Sequence, residues 1–179
     1  MMMKTKLALM IVGCFSLTAQ ATNLNVGIND DVISTDLQME LSPSANLVMG
    51  YLYSDDEGHS ISAAAHMTHD AGAHHFEVGP KFSHYWAKNS SNGSAVAIGG
   101  RYSLALGSNI ALKASAYYAP SVLSFGSVDG QYELDGKVQY QVNPSLGLFV
   151  GYRNIRLQYD DRRDNTFDTG FYIGASASF

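Results

Sequence analysis

The chain has 179 residues, with 11 basic and 16 acidic side chains and a formal net charge of −5. A nucleic-acid-binding protein would carry an excess of basic residues gathered in a patch, so this composition argues against that class. The length fits one domain, and no linker, low-complexity tract or block of charge divides it.

The first residues have the pattern of a secretory signal peptide. Two lysines give a basic start, an apolar run follows over residues 7–17, and Ala19 and Ala21 supply small residues for cleavage. The apolar run is too short to cross about 30 Å of hydrocarbon as a helix. We therefore predict that residues 1–21 are a signal peptide and that residues 22–179 form one exported domain.

Cys14 offers an alternative start, because residues 11–14 also resemble the box at which a lipoprotein precursor is cut and lipidated. Cleavage before Cys14 would leave only a short apolar core, so we favour cleavage after Ala21. The mature chain would then contain no cysteine, which excludes disulfides and thiol catalysis.

Alternation of apolar and polar residues with a period of two dominates the mature chain. It is clear over residues 33–41, 95–106 and 132–142, and it indicates strands with one apolar and one polar face. No helix is predicted that could cover the apolar faces. Closure into a barrel with its apolar side toward lipid satisfies the backbone and leaves no sheet edge, whereas a soluble secreted β-sandwich is the alternative.

We predict ten strands, or eight if the first hairpin lies outside the barrel. Most have about the 9 to 11 residues that a tilted membrane strand needs. The predicted strands are residues 23–29, 33–41, 45–53, 60–68, 74–86, 95–106, 110–118, 131–142, 146–158 and 170–179.

The links between these strands alternate in length, apart from a short first link at residues 30–32. Short turns are predicted at residues 42–44, 70–73, 107–109 and 143–145, and longer polar links at 54–59, 87–94, 119–130 and 158–169. In outer-membrane barrels the short turns face the periplasm and the long loops face outward. An even strand count then puts both termini in the periplasm.

Aromatic residues gather near the predicted strand ends, as in the two interfacial belts of membrane barrels. The residues near the loops are Tyr51, Tyr53, Tyr85, Trp86, Tyr117, Tyr118, Tyr132 and Tyr152, and those near the turns are Phe76, Tyr140 and Phe179.

The last strand carries Phe171, Ile173 and Phe179 on one face, and the chain ends at the aromatic residue. This ending looks like the C-terminal signal by which outer-membrane barrels are recognised for insertion. We therefore predict an all-β, antiparallel up-and-down transmembrane barrel in the bacterial outer membrane, inserted by the barrel-assembly machinery.

Three segments of the C-terminal third carry a family resemblance: YYAPS at 117–121, GYRNIRLQYDDRRDN at 151–165 and YIGASASF at 172–179. Through them the chain resembles the YfaZ family of predicted outer-membrane proteins of Gram-negative bacteria. The resemblance implies a small barrel of unassigned function and supplies no catalytic residues. The histidine-rich segment at residues 66–84 is not a feature that we associate with the family.

Equal numbers of acidic and basic side chains are predicted to face the barrel interior. They are Asp36, Glu40, Glu77, Glu133 and Asp135 and Lys81, Arg101, Lys113, Lys137 and Arg153. A selective pore usually has one dominant sign, whereas balanced signs favour pairing across a narrow, side-chain-filled lumen. We therefore predict a structural or surface-interaction barrel with a filled polar lumen, and a narrow porin-like channel for small solutes or ions as the alternative.

Four histidines near one predicted turn are candidates for a transition-metal site: His66, His69, His74 and His75. However, His74 and His75 point to opposite faces of a strand, and imidazoles are ordinary at a wet membrane interface. A histidine-rich tract is only a compositional hint. We therefore expect neither a metal nor any other cofactor.

Ser83, His84 and the acids of the last loop, Asp160, Asp161 and Asp164, come nearest to a catalytic set. Ser83 and His84 face opposite sides of their strand, and no base stands beside the loop acids. We expect no enzymatic activity, with a surface hydrolase as the alternative.

Outer-membrane lipid and lipopolysaccharide are the expected partners, and we expect a monomer that does not bind nucleic acid. Arg162 and Arg163 of the last loop have the geometry that suits phosphate. Since exposed charges of mixed sign mostly pair locally or with water, we favour a solvated hairpin tip at residues 160–165 over a phosphate contact.

Overall fold

The computed structural model describes residues 21–88, 91–159 and 164–179, so residues 1–20 of the predicted signal peptide, including Cys14, lie outside the described residues. The described chain is strand almost throughout, with one short 3-10 turn at Ser121–Leu123. Within this part, no helix is both long and apolar enough to cross a membrane. The strands are β1 Ala21–Ile28, β2 Val32–Ser42, β3 Ala45–Ser54, β4 Gly58–Ala71, β5 His74–Ala87, β6 Gly93–Ala105, β7 Ile110–Ala119, β8 Ser124–Gly126, β9 Gly130–Asn143, β10 Leu146–Gln158 and β11 Asn165–Ser178.

Ten long strands form a closed antiparallel barrel, which confirms the predicted fold and strand number. Each long strand pairs with its neighbours in sequence, and β1 pairs with β11 to close the sheet. The three-residue strand β8 pairs with the first residues of β6, and β7 pairs directly with β9. Because β1 takes part in the closure, the first hairpin belongs to the barrel and the alternative of eight strands is wrong.

The links divide between two ends of the barrel, which we call the turn end and the loop end. The turn end holds the start of β1, the end of β11 and the links 43–44, 72–73, 106–109 and 144–145. The loop end holds the links 29–31, 55–57 and 120–129, and the described residues 88, 91–92, 159 and 164 of two further links. Gly72 and Gly107 have φ angles of 66° and 139° in the tight turns, a region that only glycine adopts without strain.

The outward face of the strands is apolar and exposed. Val78, Ile98 and Ile173 are each more than 60% exposed, although side chains of this kind are normally buried in a soluble protein. Phe171 and Phe179 of the predicted insertion signal lie on the same outward face, also largely exposed. An apolar outer surface is what a barrel surrounded by lipid requires.

Aromatic belts lie at both ends of this face, and outward-facing histidines belong to them. At the loop end the Tyr51 hydroxyl lies 2.7 Å from His59 Nδ1. At the turn end the His74 Nδ1 lies 2.7 Å from the Tyr102 hydroxyl. Such hydrogen bonds give the rings of each belt polar partners at the membrane surface.

Two tyrosines that were predicted for the belts lie elsewhere. Tyr85 and Tyr117 are 2% and 5% exposed and face the lumen, because they occupy the inward phase of β5 and β7. Their aromatic character suggested a belt, but their phase along the strand decides the face.

Candidate functional site: the barrel interior

The predicted lumen charges converge on one interior cavity of about 240 Å³. Nine of the ten line this cavity. The tenth, Glu40, pairs in register with the buried Asn46 and therefore shares its inward face, but it lies at the rim of the turn end and is exposed. The period-two pattern therefore assigns the face of these residues correctly.

Lys81 and Glu133 form an ion pair across the lumen. The Lys81 ammonium donates to both carboxylate oxygens of Glu133, at 2.7 Å each. Lys81 is on β5 and Glu133 on β9, and two barrel strands lie between them. The same ammonium lies 4.9 Å from the centre of the Tyr117 ring, which adds a cation–π contact.

Arg153 makes a second buried crossing. Its Nε donates to Asp168 Oδ2 at 2.6 Å, and its Nη1 donates to Ser34 Oγ on β2 at 3.1 Å. Asp168 was not among the predicted lumen charges, because the last strand was predicted to begin at residue 170. The ladder between β10 and β11 instead continues in regular register from Gly170 to Asp168, which pairs with the inward-facing Ile155, so Asp168 lies on the inner face.

Glu77 is the centre of a third polar group. One oxygen of Glu77 lies 3.1 Å from Arg101 Nη1 and 3.5 Å from His66 Nδ1, and the other lies 3.1 Å from His75 Nε2. Arg101 also donates to Gln38 on β2 at 3.1 Å, so this group spans the lumen as well. Glu77 is 4% exposed, and its contacts with Arg101, His66 and His75 offset the cost of burying its carboxylate.

The four candidate metal-binding histidines do not converge on one point. His66 and His75 face the lumen, whereas His69 and His74 lie on the outward phase of β4 and β5. His66 is buried, with its two ring nitrogens 3.0 Å from Asn46 Oδ1 and 2.7 Å from the Tyr117 hydroxyl. Across the described ranges, no three His, Cys, Asp or Glu side chains are grouped so that they could hold one metal ion.

The loop end of the lumen is filled by apolar side chains that we call the apolar plug. Leu157 and Phe167 are 0% and 1% exposed, and Val128 of the long link 120–129 packs among them. The plug consists of Val32, Leu52, Tyr85, Val128, Ile155, Leu157, Tyr159 and Phe167. The prediction of a wholly polar lumen is therefore wrong for this third of the barrel, where inward positions carry branched and aromatic residues.

The polar part of the lumen lies toward the turn end. Among four side chains of these polar groups, the exposed fraction is 34% for His75, 23% for Arg101, 14% for Lys81 and 10% for Arg153. Other inward-facing residues at the turn end, such as Asn46 and Ser176, are only 2% exposed. We call the polar part of the lumen between the apolar plug and the turn end the well.

Two lysines in this well stand apart from the ion pairs. Lys113 on β7 and Lys137 on β9 occupy directly paired positions, so they lie side by side on the inner wall. Neither forms an ion pair with another described residue, although Lys137 Nζ lies 4.5 Å from the centre of the Phe149 ring. Of the ten predicted lumen charges, only Lys81 and Glu133 form an ion pair with each other across the lumen, and Asp36, Glu40 and Asp135, like the two lysines, form none with a described residue.

The residues nearest to a catalytic set are not brought together. Ser83 is 1% exposed and faces the lumen, whereas His84 faces outward and bonds Ser94 Oγ at 2.7 Å. Asp164 is exposed at the loop end, and Asp160 and Asp161 lie outside the described residues. The structure thus separates Ser83 from His84, as their adjacent positions on a strand require.

Comparison with known proteins places this architecture among outer-membrane proteins. A family model described as "YfaZ precursor" matches residues 2–179. Outer membrane protein YfaZ of Escherichia coli (strain K12) is 27% identical over 173 residues, which cover 94% of this chain and 90% of the relative.

Solved structures of similar fold are also outer-membrane barrels. The NanC porin superposes with a TM-score of 0.52 and 11% identity, over 89% of this chain and 100% of its own. The outer membrane channel DcaP of Acinetobacter baumannii gives a TM-score of 0.51 and 11% identity, over 92% of this chain and 55% of its own. At this level of identity the similarity establishes the fold alone.

Proposed function

The chain belongs to the YfaZ family of outer-membrane proteins, and we propose that its barrel is closed to solutes and acts through its surfaces. The observation that carries the proposal is the apolar plug at the loop end. The ion pair of Lys81 and Glu133, which crosses the lumen, supports it.

The plug opposes conduction because an ion would have to leave water to pass it. Leu157 and Phe167 have almost no exposed surface, so they offer water no contact at this level of the lumen. Hydrophobic constrictions close channels by excluding water, even where a polar pore continues on either side. A pore would therefore require the plug to move.

Contacts across and along the inner wall oppose such movement. The ion pair of Lys81 and Glu133 ties β5 to β9, and Arg153 ties β10 to its neighbour β11 through Asp168 and to β2 through Ser34. Breaking a buried ion pair by removing one partner costs about 3–5 kcal/mol. The lumen residues therefore contribute to the rigidity of the wall rather than lining a solute path.

The second part of the proposal is that the outer surface of the barrel interacts with a partner. Arg156 lies on the outward face of β10 near the loop end, and its guanidinium lies 5.8 Å from the centre of the Tyr132 ring. In an outer-membrane barrel the loop end faces the lipopolysaccharide leaflet. An arginine beside an aromatic belt suits a phosphate of that leaflet, so lipopolysaccharide is the partner that we propose.

A narrow channel for small solutes or ions is the second candidate. The cavity of about 240 Å³ and the lysines Lys113 and Lys137 on its wall favour it. The two candidates differ in steady current across a planar bilayer that contains the purified barrel. Our proposal predicts no steady current, whereas a channel would give stable openings.

A further inference from the structure

Lys113 and Lys137 form a concentrated positive charge inside the barrel. Directly paired residues on antiparallel strands have Cβ atoms about 4.5–5.5 Å apart, and like charges at such positions repel. On an open surface two lysines would turn away from each other into water. Here both line the cavity, and neither forms an ion pair with another described residue.

Two carboxylates line the same cavity without forming an ion pair with a described residue. Asp135 lies two residues from Lys137 on the same strand and accepts a hydrogen bond of 2.6 Å from the Tyr172 hydroxyl. Asp36 is on β2, which lies opposite β7 in a barrel of ten strands, and its carboxylate lies over Gly50. The wall formed by β7 and β9 therefore has two ammonium groups that no described carboxylate engages in an ion pair.

The well has room for a small solute and one direction of entry. A volume of about 240 Å³ exceeds the roughly 30 Å³ that one water molecule takes in the liquid, so a solute of several heavy atoms fits. The apolar plug fills the loop end, and His75 and Arg101, on the turn-end side, are the more exposed of the cavity's ion-paired side chains. A solute would therefore enter from the turn end, which is the periplasmic side in outer-membrane barrels.

We propose that this well binds a small oxyanion, with Lys113 and Lys137 as its ligands. The charged group is a single carboxylate or phosphate, because Asp36 on the opposite wall would repel a second negative group. Ser103, which pairs with Lys113 and also lines the cavity, supplies a hydroxyl donor beside the two ammonium groups. This binding site goes beyond the proposed closed barrel and depends on it only for the side of entry.

The test is a titration of the purified full barrel in detergent with propionate and with methyl phosphate, followed by saturation-transfer NMR of the ligand. We expect saturable binding of at least one of these anions, and at least tenfold weaker binding of uncharged propionamide. Binding of propionate alone would assign a carboxylate ligand, and binding of methyl phosphate alone a phosphate ligand. The propionamide comparison uses only the wild-type chain, so it does not depend on the folding of a variant.

Variants locate the site. The double variant Lys113→Gln, Lys137→Gln should bind at least tenfold more weakly, whereas Lys88→Gln, which removes an exposed lysine at the loop end, should bind as the wild type. Absence of saturable binding to both anions, equal binding of propionamide, or unchanged binding by the double variant would overturn the proposal. Since a closed barrel can bind or fail to bind an anion, these outcomes are distinct from the conductance result.

Discussion

The Lys81 ammonium lies 2.7 Å from both carboxylate oxygens of Glu133, and the two residues stand on strands separated by two others in the barrel wall. A contact of this kind cannot form on the outside of a sheet. It requires the sheet to be closed and the lumen to be narrow enough for two side chains to meet. The pair therefore links the architecture to the proposal of a filled lumen.

Removing one member of this pair should destabilise the barrel. Lys81→Met leaves Glu133 with its charge in a largely buried position, and loss of one partner of a buried pair costs about 3–5 kcal/mol. We expect a lower unfolding temperature. It is measured by incubating samples at increasing temperatures and following the shift from the folded to the unfolded band by gel electrophoresis. Lys81→Met combined with Glu133→Leu should regain most of the loss, and equal loss in the single and double variants would contradict the account.

Arg153 and Lys137 should differ in their contribution to stability, although both are basic and face the lumen. Arg153→Ala leaves Asp168, whose side chain is 3% exposed, without its ion pair. Lys137→Ala leaves no ion-paired carboxylate behind and relieves repulsion with Lys113. We expect a loss of about 3–5 kcal/mol for Arg153→Ala and a change under about 1 kcal/mol for Lys137→Ala, both from urea unfolding in detergent.

Arg156→Ala is the matched control for these measurements. Arg156 is three residues from Arg153 on the same strand, but it is exposed on the outward face. Its removal should leave the free energy of unfolding nearly unchanged. If Arg156→Ala lowers the free energy of unfolding as much as Arg153→Ala does, the effect of Arg153→Ala cannot be assigned to its ion pair in the lumen.

Phe179 should act in insertion rather than in the stability of the inserted barrel. It is 71% exposed at the end of the chain, so its deletion removes little internal packing. We expect deletion of Phe179, or Phe179→Asp, to lower the amount of heat-modifiable protein in the outer membrane several-fold. Val122→Asp, at an exposed apolar residue of the loop end, is the control, and normal levels of the Phe179 variants would remove the insertion role.

The direction of the barrel in the membrane can be read by cysteine labelling in intact cells. Cysteines at Ser91 and Ser127 of the loop end should react with an impermeant reagent, whereas cysteines at Ser44 and Ser108 of the turn end should not. The physical reason is the topology of outer-membrane barrels, in which the end that holds both termini faces the periplasm. Labelling of Ser44 and Ser108 alone would invert this orientation.

The fold could be predicted from the sequence because one periodicity decides it. In a strand the side chain alternates faces, so the positions of Lys81 and Glu133 in the polar phase assigned both to the lumen. Their contact with each other could not be predicted, since alternation says nothing about which strands face across a closed sheet. The same limit applies to the contact of Arg153 with Ser34.

Two features of the lumen were not predicted from the sequence, and each has an identifiable cause. Asp168 continues the inward alternation of Tyr172 and Gly170, but the polar residues before Gly170 were assigned to a loop, so the last strand was predicted to begin too late. The apolar plug did leave a signal, because Ile155 and Leu157 continue the inward phase of Arg153 and are apolar. A change from polar to apolar residues within the inward phase could have predicted closure at the loop end.

Current through the purified barrel in a planar bilayer tests the central claim most directly. The wild type should carry no steady current, whereas the double variant Leu157→Ser, Phe167→Ser should carry one, because it replaces two almost fully buried apolar side chains of the plug by small polar ones. Stable, ion-selective openings of the wild type, with a selectivity that Lys113→Gln and Lys137→Gln alter, would contradict the closed barrel and favour a channel.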